Sequence, residues 1–351
     1  MDIRPYESQD EERKSDLDLH VTVSPGVRIC RRYTHLDAHA RMYGRCHTFV
    51  AEHEGRIVGV ISAAIKDVRL AGQSTRAGYL FGLRVAPQAR RHGVASALHA
   101  RAEQATKDDG VAATYAIVMA DNASVMPLTS KFALAQTDRV ETLVAPVTRQ
   151  RSDRTNVRTE HLPEAIAQRI DPFFEKHDLF VRGSERYPAA GQFVLHCAER
   201  GSSSAAVTVS SHSAAFQDLV EFVPACLRPL RCFWDTIRPL VTLPHIPVRG
   251  RTVSTRWIGE PVLEGPEALG LLHEVFRHIH NKAVEEGVHW LMMPIRSSDP
   301  RRQLIRDAFS AGRLARLLRA DSTVPSLLLF KPFVRGCTVN PERLYLDTRD
   351  F

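Results

Sequence analysis

The chain has 351 residues, 44% of them hydrophobic and 25% charged, a length that exceeds one small core and suggests two domains of ordinary size. That balance excludes wholesale disorder, and no apolar run approaches the ~20 residues of a membrane-spanning helix. The net charge of +7 rests on arginine, because only 7 of the 47 basic residues are lysine.

The arginine content reads as compositional bias: no basic tract is interleaved with aromatics and no zinc finger or recognition-helix pattern stands out, so nucleic acid is not expected as a partner. Six cysteines (Cys30, Cys46, Cys197, Cys226, Cys232 and Cys337) lie far apart with no CxxC pair. Reduced thiols in an intracellular protein, cytoplasmic or nuclear, are the simpler account. The opening residues Met1 to Tyr6 are polar and carry no hydrophobic signal core.

In chain order, residues 49–66 spell two strand-like runs joined at Glu54-Gly55, the pattern of a tight hairpin. A third strand is expected over Tyr79–Val85, stopped by Pro87, which has no N–H for a ladder. Apolar Val94, Ala97, Leu98, Ala102 and Ala105 recur at helical spacing, so Val94–Lys107 is expected as a helix closed at Gly110. A strand over Ala113–Ala120, a short helix over Asn122–Lys131 and a strand over Val140–Val147 follow. Polar, arginine-rich residues 148–157 mark a junction, which divides the chain into 1–150 and 151–351.

The second half offers short strands near Gln192–Cys197, Ala205–Ser210 and Thr252–Ile258, and a proline-punctuated stretch over 224–247. A long helix is expected from Pro266 to about Glu286, then a strand His289–Ile295, a helix near Arg301–Leu318 and a strand Leu327–Phe333. Strand, helix, strand, helix, strand repeats the order of the first half. The expected class is therefore α+β, with a mixed central sheet and two copies of one fold.

Chemistry concentrates in Gly82-Leu83-Arg84-Val85-Ala86-Pro87-Gln88-Ala89-Arg90-Arg91-His92-Gly93-Val94-Ala95-Ser96. A strand ends, a basic turn follows, and a helix begins with small residues. The first helical turn leaves backbone N–H groups unpaired and carries about half a positive charge. A pyrophosphate fits there if no side chain blocks the backbone, and Gly93 and Ala95 keep that approach clear. The ordinary alternative is a solvated basic loop, but helix starts favour acidic residues and this one is basic.

The segment resembles the acyl-CoA signature of the GCN5-related N-acyltransferase (GNAT) family, Arg/Gln-x-x-Gly-x-Gly/Ala, matched here by Arg90, Gly93 and Ala95. Beyond the motif, Tyr79-Leu80-Phe81-Gly82-Leu83-Arg84-Val85, Asp121-Asn122-Ala123-Ser124-Val125, Ala145-Pro146-Val147, Glu264-Gly265-Pro266 and Asp347-Thr348-Arg349-Asp350-Phe351 look like the plant HOOKLESS-type N-acetyltransferases. The resemblance implies a GNAT fold that binds acetyl-CoA, with backbone groups of Leu83 and Val85 along the pantetheine. It places Arg90, Arg91, His92, Gly93, Val94, Ala95 and Ser96 around the pyrophosphate. Asn122 and Ser124 would contact CoA, or cap the helix that follows.

The chain also departs from the family. The tyrosine that often protonates the leaving thiolate is replaced by Thr129, the usual Gly-Phe by Ala133-Leu134, and the carboxylate late in the central strand by Phe81 and Gly82. Remaining candidates for proton handling are Tyr79, Glu52, Asp67 and Tyr115, but the carboxylates read more readily as solvated strand ends and the tyrosines as sheet packing with a wet hydroxyl. His273, His278 and His280 share a helix but not an i,i+4 face, so no metal site is expected.

The expected activity is transfer of an acetyl group from acetyl-CoA to an amine acceptor. The rival is a GNAT-fold protein without catalysis that binds acetyl-CoA as a regulatory or interaction module. The second half should not bind CoA, because Glu260, Glu264 and Glu267 stand where the first half has arginines, and Pro266 removes a donor. Alkylation of the non-reduced, denatured protein should label all six thiols by mass spectrometry; native disulfides would contradict the intracellular assignment.

Overall fold

The computed structural model describes residues 1–23, 27–122, 126–150, 156–183, 186–187, 193–225, 247–310 and 322–351. The first half contributes β1 (Asp2–Pro5), β2 (Leu19–Val23), β3 (Val27–Tyr33), β4 (Cys46–His53), β5 (Arg56–Leu70), β6 (Gln73–Val85), α1 (Val94–Asp108), β7 (Ala113–Met119), α2 (Met126–Lys131) and β8 (Ala135–Pro146). The second contributes β9 (Arg158–Glu160), α3 (Pro163–Phe174), β10 (Phe193–Arg200), β11 (Ser203–Ser210), β12 (Phe216–Phe222), β13 (Thr252–Val253), β14 (Thr255–Ile258), β15 (Val262–Glu264), α4 (Ala268–Glu285), β16 (Trp290–Arg296), α5 (Arg302–Phe309) and β17 (Ser322–Pro332).

The β4–β5 turn forms as its residues require: Glu54 and Gly55 both take positive φ, 49° and 73°, which matches the twist of a two-residue hairpin. The sheet continues β1-β4-β5-β6-β7-β17-β8-β16-β14-β11-β10-β9, with β15 also on β11, and so runs through both halves without a break. Two strands change places. β17, from the second half, is antiparallel to β7 on one side and β8 on the other. β8, from the first half, is antiparallel to β16. Each half thus receives its last strand from the other.

Period-2 alternation sorts the side chains onto two faces. Leu80 and Ala116 join Val94, Leu98 and Ala102 of α1, while Leu143, Ala145, Leu291 and Met293 join Leu271, Leu272, Val275 and Phe276 of α4. On the opposite face lies a small antiparallel sheet, β13-β12-β3-β2, built from both halves. Its Ile29, Val220 and Val253 pack on Val144, Trp257, Trp290 and Met292 of the main sheet.

Several expectations need adjustment. Thr252–Ile258 is two strands in two sheets, β13 in the small one and β14 in the main one, with the chain crossing between them at Ser254. The helix expected over Arg301–Leu318 is described only as α5, since 311–321 fall outside the described residues, as do most of the 224–247 stretch, Ser124, Cys226 and Cys232. Cys30, Cys46, Cys197 and Cys337 are free thiols. Strands β1 to β3 and helix α3 carry weak local patterns and were not expected from sequence.

The segment 344–351 runs through the interior. Lys66 Nζ donates to Asp347 at 2.8 Å and to both oxygens of Asp350 at 2.9 and 3.1 Å, and all three groups are buried. Arg349 pairs with Asp347 at 2.6 Å. Burial pushes the Asp347 carboxyl up, but Arg349 and Lys66 together outweigh it and hold the group well below its ordinary value. Removing one member of a buried ion pair leaves an uncompensated charge. Lys66→Ala is therefore expected to lower the unfolding free energy by about 3–5 kcal/mol, read by urea denaturation.

Candidate active site

β6 and β7 are parallel neighbours only at Ala77–Tyr79 and Ala113–Tyr115, and no pairing continues beyond. The cause lies in β6. Its register against β5 slips between Val60 and Ser62, opposite Gly82, which takes φ +65°. Such a bulge bends the strand away from its neighbour. The gap opens into a cavity of about 260 Å³, lined by Leu80 to Arg84 on one side and Ala116 to Met119 on the other.

At the end of β6 the chain turns through Pro87–Ala89 into α1. Arg91 and Gly93 both have positive φ, 66° and 81°. Gly93 is the N-cap residue, no side chain caps this end, and a Cβ built on Gly93 would meet nothing within 4 Å. The first bond of the helix runs from Ala97 N to Gly93 O, so the amides of Val94, Ala95 and Ser96 have no intrahelical acceptor. Arg90, Arg91, His92 and Gly93 are exposed; Ala95 and Ser96 are half-buried. Val94 is buried against β5, where Gly59 lets α1 approach: a Cβ there would lie 2.9 Å from Leu98 and 3.1 Å from Val94. Arg90 Nε donates to Val85 O at 3.1 Å, which holds the turn against the strand end. This is an open, positively charged surface of backbone donors, suited to an anion.

Leu83 is half-buried and lines the cavity, and Val85 is half-buried at the strand end. Asn122 also lines it, and its backbone N–H donates to Met119 O at 3.1 Å; Ser124 is not described. Thr129 does not replace the missing acid: it is buried, its hydroxyl donates to Met126 O at 2.7 Å, and it does not line the cavity.

The candidates for proton handling are redistributed. Glu52 is held by Arg4 at 2.7 Å and Arg13 at 3.0 Å and lies outside the cavity lining. Asp67 is exposed along β5, opposite Arg76. The hydroxyls of Tyr79 and Tyr115 are dry, contrary to expectation. Tyr79 O–H donates to Asp350 O, and Tyr115 O–H donates to Asp350 Oδ2 at 2.8 Å. Burial, and then the Asp350 charge, push both phenols well above their ordinary value, which keeps them protonated at neutral pH. Sequence reasoning missed His39, which lines the cavity and whose Nε2–H donates to Arg349 O at 2.6 Å, leaving Nδ1 as the basic nitrogen. Burial above all, then the charges of Arg31 and Arg84, lower this imidazole to about 4. A lone histidine in a loop carries no local pattern that could have singled it out.

The second half keeps the geometry but closes the site. β14 and β16 are parallel at Thr255–Trp257 and Trp290–Met292, as β6 and β7 are. Glu260, expected near the helix start, instead turns inward before β15 and meets Arg296 at 3.5 Å and Arg301 at 3.2 Å. Burial pushes this carboxyl up to about 7 against the pull of those arginines. At the start of α4, Ser203 Oγ accepts from Glu267 N at 3.1 Å, and a Cβ on Gly265 would lie 2.5 Å from Ser203 Oγ. Glu264 accepts from Ser204 at 3.0 Å. Ser203 and Gly265 O thus take the amides of Glu267 and Ala268, two donors that an anion at that turn would otherwise meet.

Residues 18–133 match the Acetyltransferase (GNAT) family. A rice relative, the acetyl transferase GW6a of Oryza sativa subsp. japonica, is 30% identical over 252 residues, 66% of this chain and 59% of that protein. Residues 18–133 are thus a GNAT segment. The match spans about three fifths of the rice protein's length. Saccharomyces cerevisiae N-myristoyltransferase, solved with bound myristoyl-CoA, shares the fold across 93% of this chain and 77% of its own, at TM-score 0.54 and 8% identity. A GCN5-related N-acetyltransferase from Sphaerobacter thermophilus covers 85% of this chain and 83% of its own at TM-score 0.45 and 12% identity. The α+β GNAT fold with a mixed central sheet stands as expected. Among the described residues, no helix is long and apolar enough to cross a membrane and no group of three ligating side chains stands where it could hold a metal.

The buried histidines make stability depend on pH. His99 also lines the cavity, stacks on Phe132 at 3.9 Å, and is lowered by burial to about 4. Its folded value lies below the ordinary 6.5, so the unfolded chain binds the extra proton and stability is lost as pH falls from 6.5 towards 4. The slope is about 1.4 kcal/mol per pH unit for each such histidine. Glu260 acts with opposite sign, losing stability as pH rises through 4.5 to 7, and offsets one histidine. Chemical denaturation at pH 6.5, 5.5 and 4.5 should show a falling stability, with a shallower slope in His99→Leu.

Proposed function

We propose that this chain is an N-acyltransferase that moves an acetyl group from acetyl-CoA to an acceptor amine. The observation that carries the reading is the joint placement of the strand gap and the open α1 start, which meet at the end of β6. The amides of Val94 to Ser96, with Arg90, Arg91 and His92 around them, would hold the pyrophosphate. Backbone groups of Leu83 and Val85 would take the pantetheine along the edge that β7 leaves free.

In the transfer, the amine nitrogen attacks the thioester carbonyl, the C–N bond forms as the C–S bond breaks, the amine loses a proton and the thiolate gains one. The neutral Nδ1 of His39, a weak base because burial lowers its imidazole to about 4, is one proton acceptor on the cavity wall. Thr129 stands at the position of the usual acid, so orientation of the two reactants supplies most of the rate, with up to ~7–11 kcal/mol available from that source. The second half walls the acceptor side through Trp257 and Met292 rather than binding CoA.

A second reading, an acetyl-CoA-binding module without turnover, draws on the committed hydroxyl of Thr129. Amine-dependent release of free CoA separates the two. For binding, a carboxylate about 4 Å from a phosphate costs about 4 kcal/mol at an effective dielectric of about 20, roughly 10³-fold in affinity. Isothermal titration should therefore give one acetyl-CoA site per chain that Gly93→Glu removes. Gly93→Asn, which tolerates the left-handed conformation without adding charge, should retain much of the binding.

A further inference from the structure

Arg84 is an exception among the buried cations. It is 9% exposed and lines the cavity from β6. Its neighbours Leu83 and Val85 pack towards α1, so by strand alternation Arg84 faces the small sheet, on the side opposite the CoA turn. Around it the positive charges are matched. Arg31 holds Asp218 at 2.9 and 3.1 Å, Lys66 holds Asp350 and Asp347, and Arg349 holds Asp347.

Among the described residues, Arg84 has no carboxylate within ion-pair distance. Its Nε donates to Gly82 O at 3.2 Å, and its terminal nitrogens donate to Leu17 O at 3.5 Å and Leu36 O at 3.2 Å, while the guanidinium lies 3.9 Å over the Tyr33 ring. The nearby acids are engaged elsewhere: Glu11 with Lys14 and Asp18 with Arg32. Three long bonds to neutral carbonyls satisfy donors but do not balance a buried charge. Two of the five guanidinium N–H groups remain for a ligand.

We propose that Arg84 receives an anionic group on the acceptor, so that the substrate is a small amine that also carries a carboxylate or a phosphate. This rests on the acyltransferase reading, and it adds the chemical class of the acceptor. The cavity of about 260 Å³ and its aromatic wall of Tyr33, Phe81 and Trp257 suit a compact, partly apolar molecule. The guanidinium supplies the charge that fixes such a molecule's orientation, in the bidentate manner that carboxylates and phosphates share.

The test separates this from the activity itself by reading binding without turnover. Thermal melting is followed with phenylacetate, phenyl phosphate and the neutral phenylacetamide, for the parent, Arg84→Met and Arg84→Lys. The expected result is a rise in melting temperature with at least one anion and none with the amide, lost in Arg84→Met and partly kept in Arg84→Lys. Whichever anion gives the rise distinguishes a carboxylate from a phosphate. Arg84→Met should fold and keep the acetyl-CoA affinity of the parent, because it removes an uncompensated charge. Equal shifts with the amide, no shift with either anion, or an anion shift that survives in Arg84→Met would overturn the proposal. An Arg84→Met that fails to fold, with an Arg84→Lys that folds but ignores both anions, would assign the arginine to pinning Leu17 and Leu36 instead. Loss of acetyl-CoA binding in the parent would count against the acyltransferase reading and leave the anion result to stand or fall separately.

Discussion

Strand β17 hydrogen-bonds to β7 along one edge and to β8 along the other, and β8 in turn pairs with β16. In each half the strand that completes the sheet arrives from the other half. Strands covered on both faces need apolar residues on both. The Leu327-Leu328-Leu329-Phe330 run meets that need, and each residue is buried. The exchange leaves no free edge between the halves, which would otherwise be a template for pairing with another chain. It also means that 1–150 and 151–351 are lengths of sequence that share one sheet.

The second constraint is the ionic cluster that ties 347–350 beneath the first half's tyrosines. Asp350 accepts from Lys66, Tyr43 and Tyr115, so its carboxylate is saturated by donors and acts as an anchor. Such a cluster contributes little net stability compared with apolar packing, but its geometry admits few alternatives. Its effect on the site is positional. Asp350 and Phe351 form part of the cavity wall, and the carbonyl of Arg349 sets the tautomer of His39.

The two halves show one scaffold used in two ways. Both split a pair of parallel strands after three residues of register. In the first half a glycine bulge and an uncapped helix start leave donors facing outwards. In the second, the corresponding gap takes up Glu260 with Arg296 and Arg301, and Ser203 takes the amide that a ligand would need. There a protein carboxylate meets the arginines and a protein hydroxyl takes a helix-start amide, where the first half leaves its own amides without a side-chain cap.

Legibility in the sequence followed the range of the forces involved. The β4–β5 hairpin, α1, α4 and the turn from Arg90 to Ser96 could be read directly, because dihedral preferences, period and helix-end chemistry act within a few residues. The absence of an acid at Thr129 was equally local. Tertiary structure alone decided the strand exchange, the inward turn of Glu260, the dry hydroxyls of Tyr79 and Tyr115, and the presence of His39 and Arg84 on one cavity wall. These depend on contacts between residues tens to hundreds of positions apart, such as Tyr79 with Asp350, and no local pattern encodes which buried charge will find a partner. The sequence by itself determined where a basic turn meets a helix start with no side-chain cap; the packing of the two halves determined what faces it across the sheet.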